Sequence, residues 1–96
     1  MRKITKLAVQ AFINDKKFNQ GNTVVIIEEN TAILSLHGNH IAYKDKDGNI
    51  EIANRGYFTN TTKERLNGIP GVNIQQKDWQ WYLNGNLWNG NLIKIQ

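Results

Sequence analysis

The chain has 96 residues, no cysteine and a formal net charge of +4. This length supports one hydrophobic core and predicts a single domain over residues 1–96. The absence of cysteine excludes disulfides and thiol chemistry, and no apolar stretch has the length of a signal peptide or membrane span, which predicts a cytoplasmic protein.

The positive charge favours contact with phosphates or with an acidic surface, because long-range fields steer such encounters. The lysines are spread along the chain and form no basic run. Charge alone therefore does not select nucleic acid among the possible partners.

An amphipathic helix is predicted over residues 3–17. Its apolar stripe has the spacing i, i+3, i+4, i+7, i+8 and consists of Ile4, Leu7, Ala8, Ala11 and Phe12. The polar segment 19–22 is the predicted stop, because glycine and asparagine accept the left-handed conformation that closes a last helical turn.

Strands are predicted after this helix. Residues 23–29 are β-branched and nearly continuously apolar, which indicates a strand covered on both faces and ending in a turn at Glu29-Asn30. Residues 32–37 and 40–44 flank Gly38-Asn39, a dipeptide typical of a tight hairpin.

A second hairpin is predicted at Asp45–Gly48. Its arms are expected to place Ile41 and Tyr43 opposite Ile50 and Ile52, since alternate residues of a strand share one face. These strands together form an antiparallel meander.

A short second helix is predicted between residues 57 and 70. Thr61 and Glu64 have the spacing of a capping box, and Gly68 marks the end. A helix of about two turns is marginal alone. The side chains expected to pack it on the sheet are Leu66 and Ile69.

Alternating apolar residues return in segments 72–74, 79–83 and 93–95, with turns predicted at Asn84-Gly85 and Asn89-Gly90. The predicted class is therefore α+β: an N-terminal amphipathic helix, an antiparallel β-meander, a short second helix and a second short β-meander.

The sequence does not favour catalysis. Ser35 is the one serine, and His37 and His40 flank a turn, so no nucleophile, base and orienting group are evident together. A metal would require third and fourth ligands that are not nearby in sequence. We therefore expect no enzyme activity, no cofactor and no metal.

The best candidate ligand site is the start of the second helix, where free N–H groups, hydroxyls and two cations are expected to converge on a phosphate. Alternatively, these residues only cap the helix and carry solvated charges. The candidate ligand-binding residues are Asn60, Thr61, Thr62, Lys63 and Arg65.

The tryptophans form a second candidate surface. Trp79 and Trp81 are expected to share a strand face, and Trp88 lies in a turn-rich segment, so it is expected to be the most exposed of the three. Alternatively, all three fill the core of a small domain. The candidate partner-binding residues are Trp88, Gln75, Gln76 and Lys77, with Asp78 completing a polar tip.

Several strings resemble a family of short proteins common in phages and mobile elements. They are LHGN and IA within residues 36–42, GYFTNTTKERLN at 56–67, PGVNIQQK at 70–77, WYLNG at 81–85 and WNG at 88–90. The resemblance covers roughly residues 20–95 and leaves the first helix outside. It implies a small phage accessory protein acting inside a bacterial cell, and it transfers no activity to any residue.

The leading functional prediction is a non-enzymatic phage accessory protein, with a role against bacterial defence, that binds a phosphate-bearing ligand. That ligand is a nucleotide signal or a nucleic acid, bound at residues 60–65. The alternative is a protein–protein inhibitor of a host or defence complex that uses Trp88 and residues 75–78. Neither prediction involves a membrane, and the oligomeric state is left open.

Overall fold

The computed structural model describes residues 1–95 as two helices and nine strands, which confirms the α+β class. The helices are α1 (Lys3–Ile13) and α2 (Asn60–Asn67). The strands are β1 (Phe18–Gln20), β2 (Thr23–Glu28), β3 (Thr31–Leu36), β4 (Asn39–Lys44), β5 (Ile50–Ile52), β6 (Ile74–Lys77), β7 (Gln80–Leu83), β8 (Asn86–Trp88) and β9 (Ile93–Lys94). Neither helix has the length and hydropathy needed to cross a membrane.

Helix α1 ends at Ile13, earlier than predicted. Asp15 adopts a left-handed φ of 56°, and the N–H of Lys16 donates to the carbonyl of Ala11 at 2.8 Å. This is the hydrogen bond of a Schellman ending, with aspartate in the position usually held by glycine. The predicted stop at residues 19–22 is wrong, since that segment lies in β1 and the turn after it.

The buried face of α1 differs in part from the predicted stripe. It consists of Thr5, Ala8, Val9 and Phe12. Ala8 and Phe12 are confirmed as core residues, whereas Leu7 is exposed. Thr5 is buried on the same face, and its hydroxyl accepts a hydrogen bond from the buried guanidinium of Arg65. A polar partner from α2 therefore satisfies the hydroxyl that α1 buries with its apolar side chains.

The larger sheet has six strands in the order β1-β2-β3-β4-β5-β9, with each neighbouring pair antiparallel. The turn between β2 and β3 lies at Glu29 and Asn30, both at positive φ, as predicted. In β2, Thr23 and Val25 are buried and the remaining side chains are half-buried or exposed. The strand is therefore covered fully on one face only.

The β3–β4 turn is formed by His37 and Gly38, both at positive φ, between the paired residues Leu36 and Asn39. It lies one residue earlier than predicted. Histidine is among the non-glycine residues that adopt this conformation more readily than most.

The register between β4 and β5 is also displaced from the prediction. Ala42 pairs with Ile52, and Tyr43 pairs with Glu51. The turn explains the difference: Lys44 pairs with Ile50 and the N–H of Asp45 donates to the carbonyl of Asn49, so the connection is one residue longer than the predicted Asp45–Gly48. A separate bulge at Ile41 changes the pairing of β4 with β3. Tyr43 and Glu51 consequently share the solvent side, and Ala42 and Ile52 share the core side.

The smaller sheet contains β6, β7 and β8. Its second turn lies at Asn84 and Gly85, as predicted. The chain then leaves this sheet, and β9 pairs with β5 of the larger one through Glu51–Lys94 and Ile52–Ile93. The segment after β8 therefore links the two sheets.

The capping box predicted for α2 is wrong. Thr59 is the N-cap, and its side chain accepts from the N–H of Thr62 at 3.1 Å. Glu64 turns towards α1 instead of back to its own helix. The end at Gly68 is confirmed, and α2 is packed by the buried side chains Leu66 and Ile69, as expected.

Candidate ligand-binding site at the start of the second helix

A cavity of about 280 Å³ lies at the start of α2. It is formed by the β3–β4 hairpin and by a continuous segment that runs from the loop after β5 into the first turn of α2. Its lining residues are Thr59, Thr61, Thr62, Leu36, His37, Asn39, Ile41, Asn54 and Tyr57.

The first turn of α2 offers free hydrogen-bond donors. The N–H of Thr62 is accepted by the Thr59 side chain, and the N–H of Lys63 by the Thr59 carbonyl. The N–H groups of Asn60 and Thr61 have no acceptor within the helix, as in any α-helical first turn. Helix N-termini carry a partial positive charge that attracts anions.

Asn54 provides the second polar feature of the cavity. Only 1% of this residue is exposed, and its side-chain Oδ1 accepts the N–H of Gly56 at 2.9 Å. Its Nδ2 has no hydrogen-bond partner among the residues described. A buried donor left unpaired costs about 1–3 kcal/mol, so an acceptor from a ligand would offset that cost.

Tyr57 provides an aromatic ring. Its backbone N–H donates to the carbonyl of Asn54 at 2.9 Å, which holds the loop, while 52% of the residue is exposed. An exposed ring beside a cavity is suited to stacking on a flat ligand. Phe58, the next residue, packs against Trp81 with ring centroids 5.1 Å apart.

Arg65 lies away from the cavity, in contrast to the prediction. It is 1% exposed and donates to the hydroxyls of Thr23 and Thr5 and to the Glu64 carboxylate, at 3.1, 2.8 and 2.5 Å. A buried guanidinium requires such partners because an uncompensated charge is costly. Its predicted role as a free ligand-binding cation is corrected to a structural one between α1, β2 and α2.

Glu64 completes this buried cluster. Its carboxylate also accepts from the hydroxyl of Thr5 and from the N–H of Arg2. Burial raises the pKa of Glu64, but the hydrogen bonds from Thr5, Arg2 and Arg65 and the charge of Arg65 outweigh it. The pKa of Glu64 therefore lies below its ordinary value.

Of the five predicted ligand-binding residues, the cavity brings together Thr61 and Thr62. Lys63 donates to the side chain of Gln76 at 3.1 Å, and Asn60 is exposed outside the cavity lining. Asn54 and Tyr57 were missed by the sequence reasoning. The signal that could have found them is the turn sequence Asn54-Arg55-Gly56, which orients both residues towards α2.

The two histidines occupy different places. His37 lines the cavity, and its Nε2 lies 3.4 Å from Nδ2 of Asn22. The ring of His40 packs edge-on against Tyr43, with centroids 6.1 Å apart. His37 therefore belongs to the candidate site, and His40 belongs to the surface of the larger sheet.

The prediction that Trp88 is the most exposed tryptophan is wrong. Trp88 is 6% exposed, and its Nε1 donates to the carbonyl of Asn91 at 2.9 Å. Trp81 is buried as well, whereas Trp79 is 92% exposed. The turn before Trp81 explains this, because Trp79 belongs to the β6–β7 connection and does not share the strand face of Trp81. Gln75, Gln76 and Lys77 are exposed.

Comparison with protein-family models identifies a phage protein family. A family model described as Kyanoviridae Gp96 protein matches residues 1–94. The match includes the first helix, which lies outside the strings that carry the sequence resemblance. No curated protein and no solved structure matches the chain.

Proposed function

The chain belongs to the Kyanoviridae Gp96 family of phage proteins, and we propose that it is an accessory protein that binds a phosphate-bearing mononucleotide without catalysis. The binding site is the cavity at the start of α2. The observation that carries the proposal is the meeting, in one cavity, of the first turn of α2, an unpaired buried amide and an exposed aromatic ring.

Each of these features fits one part of a nucleotide. The free N–H group of Thr61 at the cavity wall suits a phosphate, since both this donor and the helix dipole favour an anion. The ring of Tyr57 suits the face of a base. The Nδ2 of Asn54 is a donor for a sugar or base oxygen.

The size of the cavity favours a single nucleotide. Pockets for drug-sized ligands measure about 300–1,000 Å³, and the present cavity of about 280 Å³ lies at the lower end. A dinucleotide would extend out of it into solvent. The site therefore suits one base, one sugar and one phosphate.

Binding without turnover is consistent with the lining side chains. His37 is the one general base described there, and no carboxylate accompanies it. A phage protein of this kind would act by sequestration, lowering the free concentration of a nucleotide signal used by the host. This is how we propose that it acts against bacterial defence.

The test is isothermal titration of the protein with the common ribonucleoside monophosphates and with the matching nucleosides. We expect saturable binding of at least one monophosphate and weaker binding of its nucleoside, because the nucleoside lacks the group that meets α2. Tyr57→Ala should weaken binding about 5- to 100-fold through loss of stacking, whereas Tyr57→Phe keeps the ring and should retain affinity.

Trp79→Ala is the matched control, because Trp79 lies outside the cavity and is the most exposed tryptophan. It should leave nucleotide affinity unchanged. The proposal fails if no monophosphate binds saturably, or if nucleosides bind as tightly as their monophosphates.

A further inference from the structure

A chain of hydrogen bonds runs from the buried Arg65 to the nucleotide cavity at α2. The Nε–H of Arg65 donates to the hydroxyl oxygen of Thr23 at 3.1 Å, and that oxygen lies 2.7 Å from Oδ1 of Asn22. Nδ2 of Asn22 lies 3.4 Å from Nε2 of His37, which lines the cavity. These side chains therefore connect the interior of the fold to the candidate site.

The direction of each hydrogen bond follows from the buried end of the chain. A guanidinium can only donate, so the Thr23 hydroxyl accepts from Arg65. Thr23 is fully buried, and its own hydroxyl hydrogen is accepted by Oδ1 of Asn22. Turning the Asn22 amide over would leave this buried hydrogen without that acceptor, which is unfavourable. Asn22 consequently presents Nδ2, a donor, to His37.

The backbone holds Asn22 beside His37. The N–H of His37 donates to the carbonyl of Asn22 at 2.8 Å, one step beyond the last pair of β2 and β3, which is Thr23 and Leu36. The contact between the two side chains therefore rests on the pairing of these strands, although the ring of His37 is exposed.

This contact determines which nitrogen of the neutral His37 ring carries the hydrogen. Since Nδ2 of Asn22 donates, Nε2 of His37 has to accept, and the hydrogen then lies on Nδ1. In water the Nε2–H form of neutral histidine is the more populated. Asn22 therefore reverses the usual preference of the ring.

We infer that Asn22, itself oriented by Thr23 and Arg65, positions His37 as a neutral Nδ1–H donor to an oxygen of the ligand. The ligand is that of the proposed function, a nucleoside monophosphate, on which this inference rests. With Nε2 accepting from Asn22 and Nδ1 protonated, the ring has no lone pair left to remove a proton from a bound nucleotide. The same hydrogen bonds therefore favour binding over turnover. Asn22 is a positioning residue, because it acts through His37.

Nitrogen NMR of the isotopically labelled, ligand-free protein at mildly alkaline pH tests the state of the ring, because the two neutral forms of histidine differ in their nitrogen shifts. We expect His37 mainly in the Nδ1–H form. Asn22→Asp replaces Nδ2 by an acceptor oxygen, so it should place a hydrogen on Nε2 of His37. Thr23→Ser keeps the hydroxyl and should leave the Nδ1–H form unchanged.

Isothermal titration with the common ribonucleoside monophosphates tests the consequence for binding. Asn22→Ala releases the ring to its usual form and should lower the apparent affinity about 2- to 10-fold, because only the fraction in the Nδ1–H form donates to the ligand. His37→Ala removes the donor altogether and should lower the affinity about 5- to 50-fold. His40→Ala is the matched control, because His40 lies outside the cavity lining, and it should bind as the wild type does.

The two experiments separate this inference from the proposed function. If no monophosphate binds the wild-type protein, the proposed function fails, while the NMR measurement without ligand still decides the state of His37. The inference is overturned if wild-type His37 is mainly in the Nε2–H form, if Asn22→Asp leaves the ring unchanged, or if a monophosphate that binds the wild type binds Asn22→Ala equally tightly.

Discussion

At the scale of single residues, the buried cluster around Arg65 is the main departure from what the sequence indicates. A lysine and an arginine two positions apart on a short helix suggest two solvated cations. In the structure Lys63 reaches a neighbouring strand, whereas Arg65 is enclosed by Thr5, Thr23 and Glu64. Sequence spacing around α2 could not reveal this, because two of these partners lie 60 and 42 residues away in the chain.

Glu64 should make the stability of the fold depend on pH. Its folded pKa lies below the ordinary 4.5, so its contribution is present above that value and is lost as the pH falls through the lower folded value. Its side chain is 27% exposed, which reduces the effect by solvent screening. Glu64→Gln should lower the free energy of unfolding by about 2 kcal/mol at pH 7, and the difference should shrink in acid.

Urea unfolding followed by circular dichroism at neutral pH and below pH 4.5 measures this difference. Glu28→Gln, at an exposed position outside the cluster, is the control and should follow the wild-type pH dependence. A Glu64→Gln protein whose stability ran parallel to that of the wild type across the acid range would contradict the assignment.

At the scale of elements, the sequence predicts both helices and most of the turns. The prediction is wrong where another residue type occupies a position usually held by glycine or asparagine. Asp15 closes α1 in the position typical of glycine, and Asp78 and Trp79 form a turn that favours asparagine and glycine. Because Asp15 is not a typical helix end, the predicted helix is longer than α1. Because Asp78-Trp79 is not a typical turn, Trp79 is predicted in a strand and Trp88 is predicted to be the most exposed tryptophan.

The register between β4 and β5 and the residues of the candidate site are also predicted only in part from the sequence. The connection between β4 and β5 is one residue longer than predicted, and one residue in a hairpin loop moves every pair of the register. Thr61 and Thr62 were predicted for the site because a helix start is a local signal. Asn54 and Tyr57 lie in the turn directly before α2, where Asn54-Arg55-Gly56 is the local signal, whereas the β3–β4 hairpin joins the site only through tertiary packing.

The crossing of α1 and α2 depends on Gly68. A Cβ at this position would lie 2.7 Å from Cγ2 of Thr5 and 2.9 Å from Cγ2 of Val9. Both are β-branched side chains in a helix, so they have little rotamer freedom to move away. Gly68→Ala should destabilise the fold by about 1–3 kcal/mol, although alanine is the better helix former.

A double-mutant cycle with Val9→Ala tests the cause. Truncation of Val9 removes one of the two clashing methyl groups, so Gly68→Ala should cost less in that background than in the wild type. Equal costs in the two backgrounds, or a stabilising Gly68→Ala, would show that the helices have room for a methyl group.

At the scale of the whole molecule, one short connection joins the two sheets and supports the nucleotide cavity. The chain leaves β8 and reaches β9 through Gly90, whose carbonyl accepts the N–H of Asn54 at 3.0 Å. Asn54 in turn lines the cavity at α2. The connection therefore couples the smaller sheet, the larger sheet and the candidate site.

Gly90→Ala tests that coupling, with Gly85→Ala as its matched control. The two glycines have nearly the same φ, 87° and 88°, so alanine meets the same backbone strain of about 1–2 kcal/mol at either position. A Cβ at Gly90 would lie 2.1 Å from Oδ1 of Asn54, whereas Gly85 has no atom within 4 Å of that point. Gly90→Ala should therefore lower the free energy of unfolding by about 1–3 kcal/mol more than Gly85→Ala.

The same two variants should also differ in their affinity for a nucleoside monophosphate. Displacement of the Asn54 side chain changes the lining of the cavity, so Gly90→Ala should weaken monophosphate binding in isothermal titration, while Gly85→Ala should leave it unchanged. If the two variants unfold at the same urea concentration, the contact between Gly90 and Asn54 does not hold the sheets together. If they do differ in stability but bind the nucleotide equally, Asn54 supports the fold without reaching the ligand.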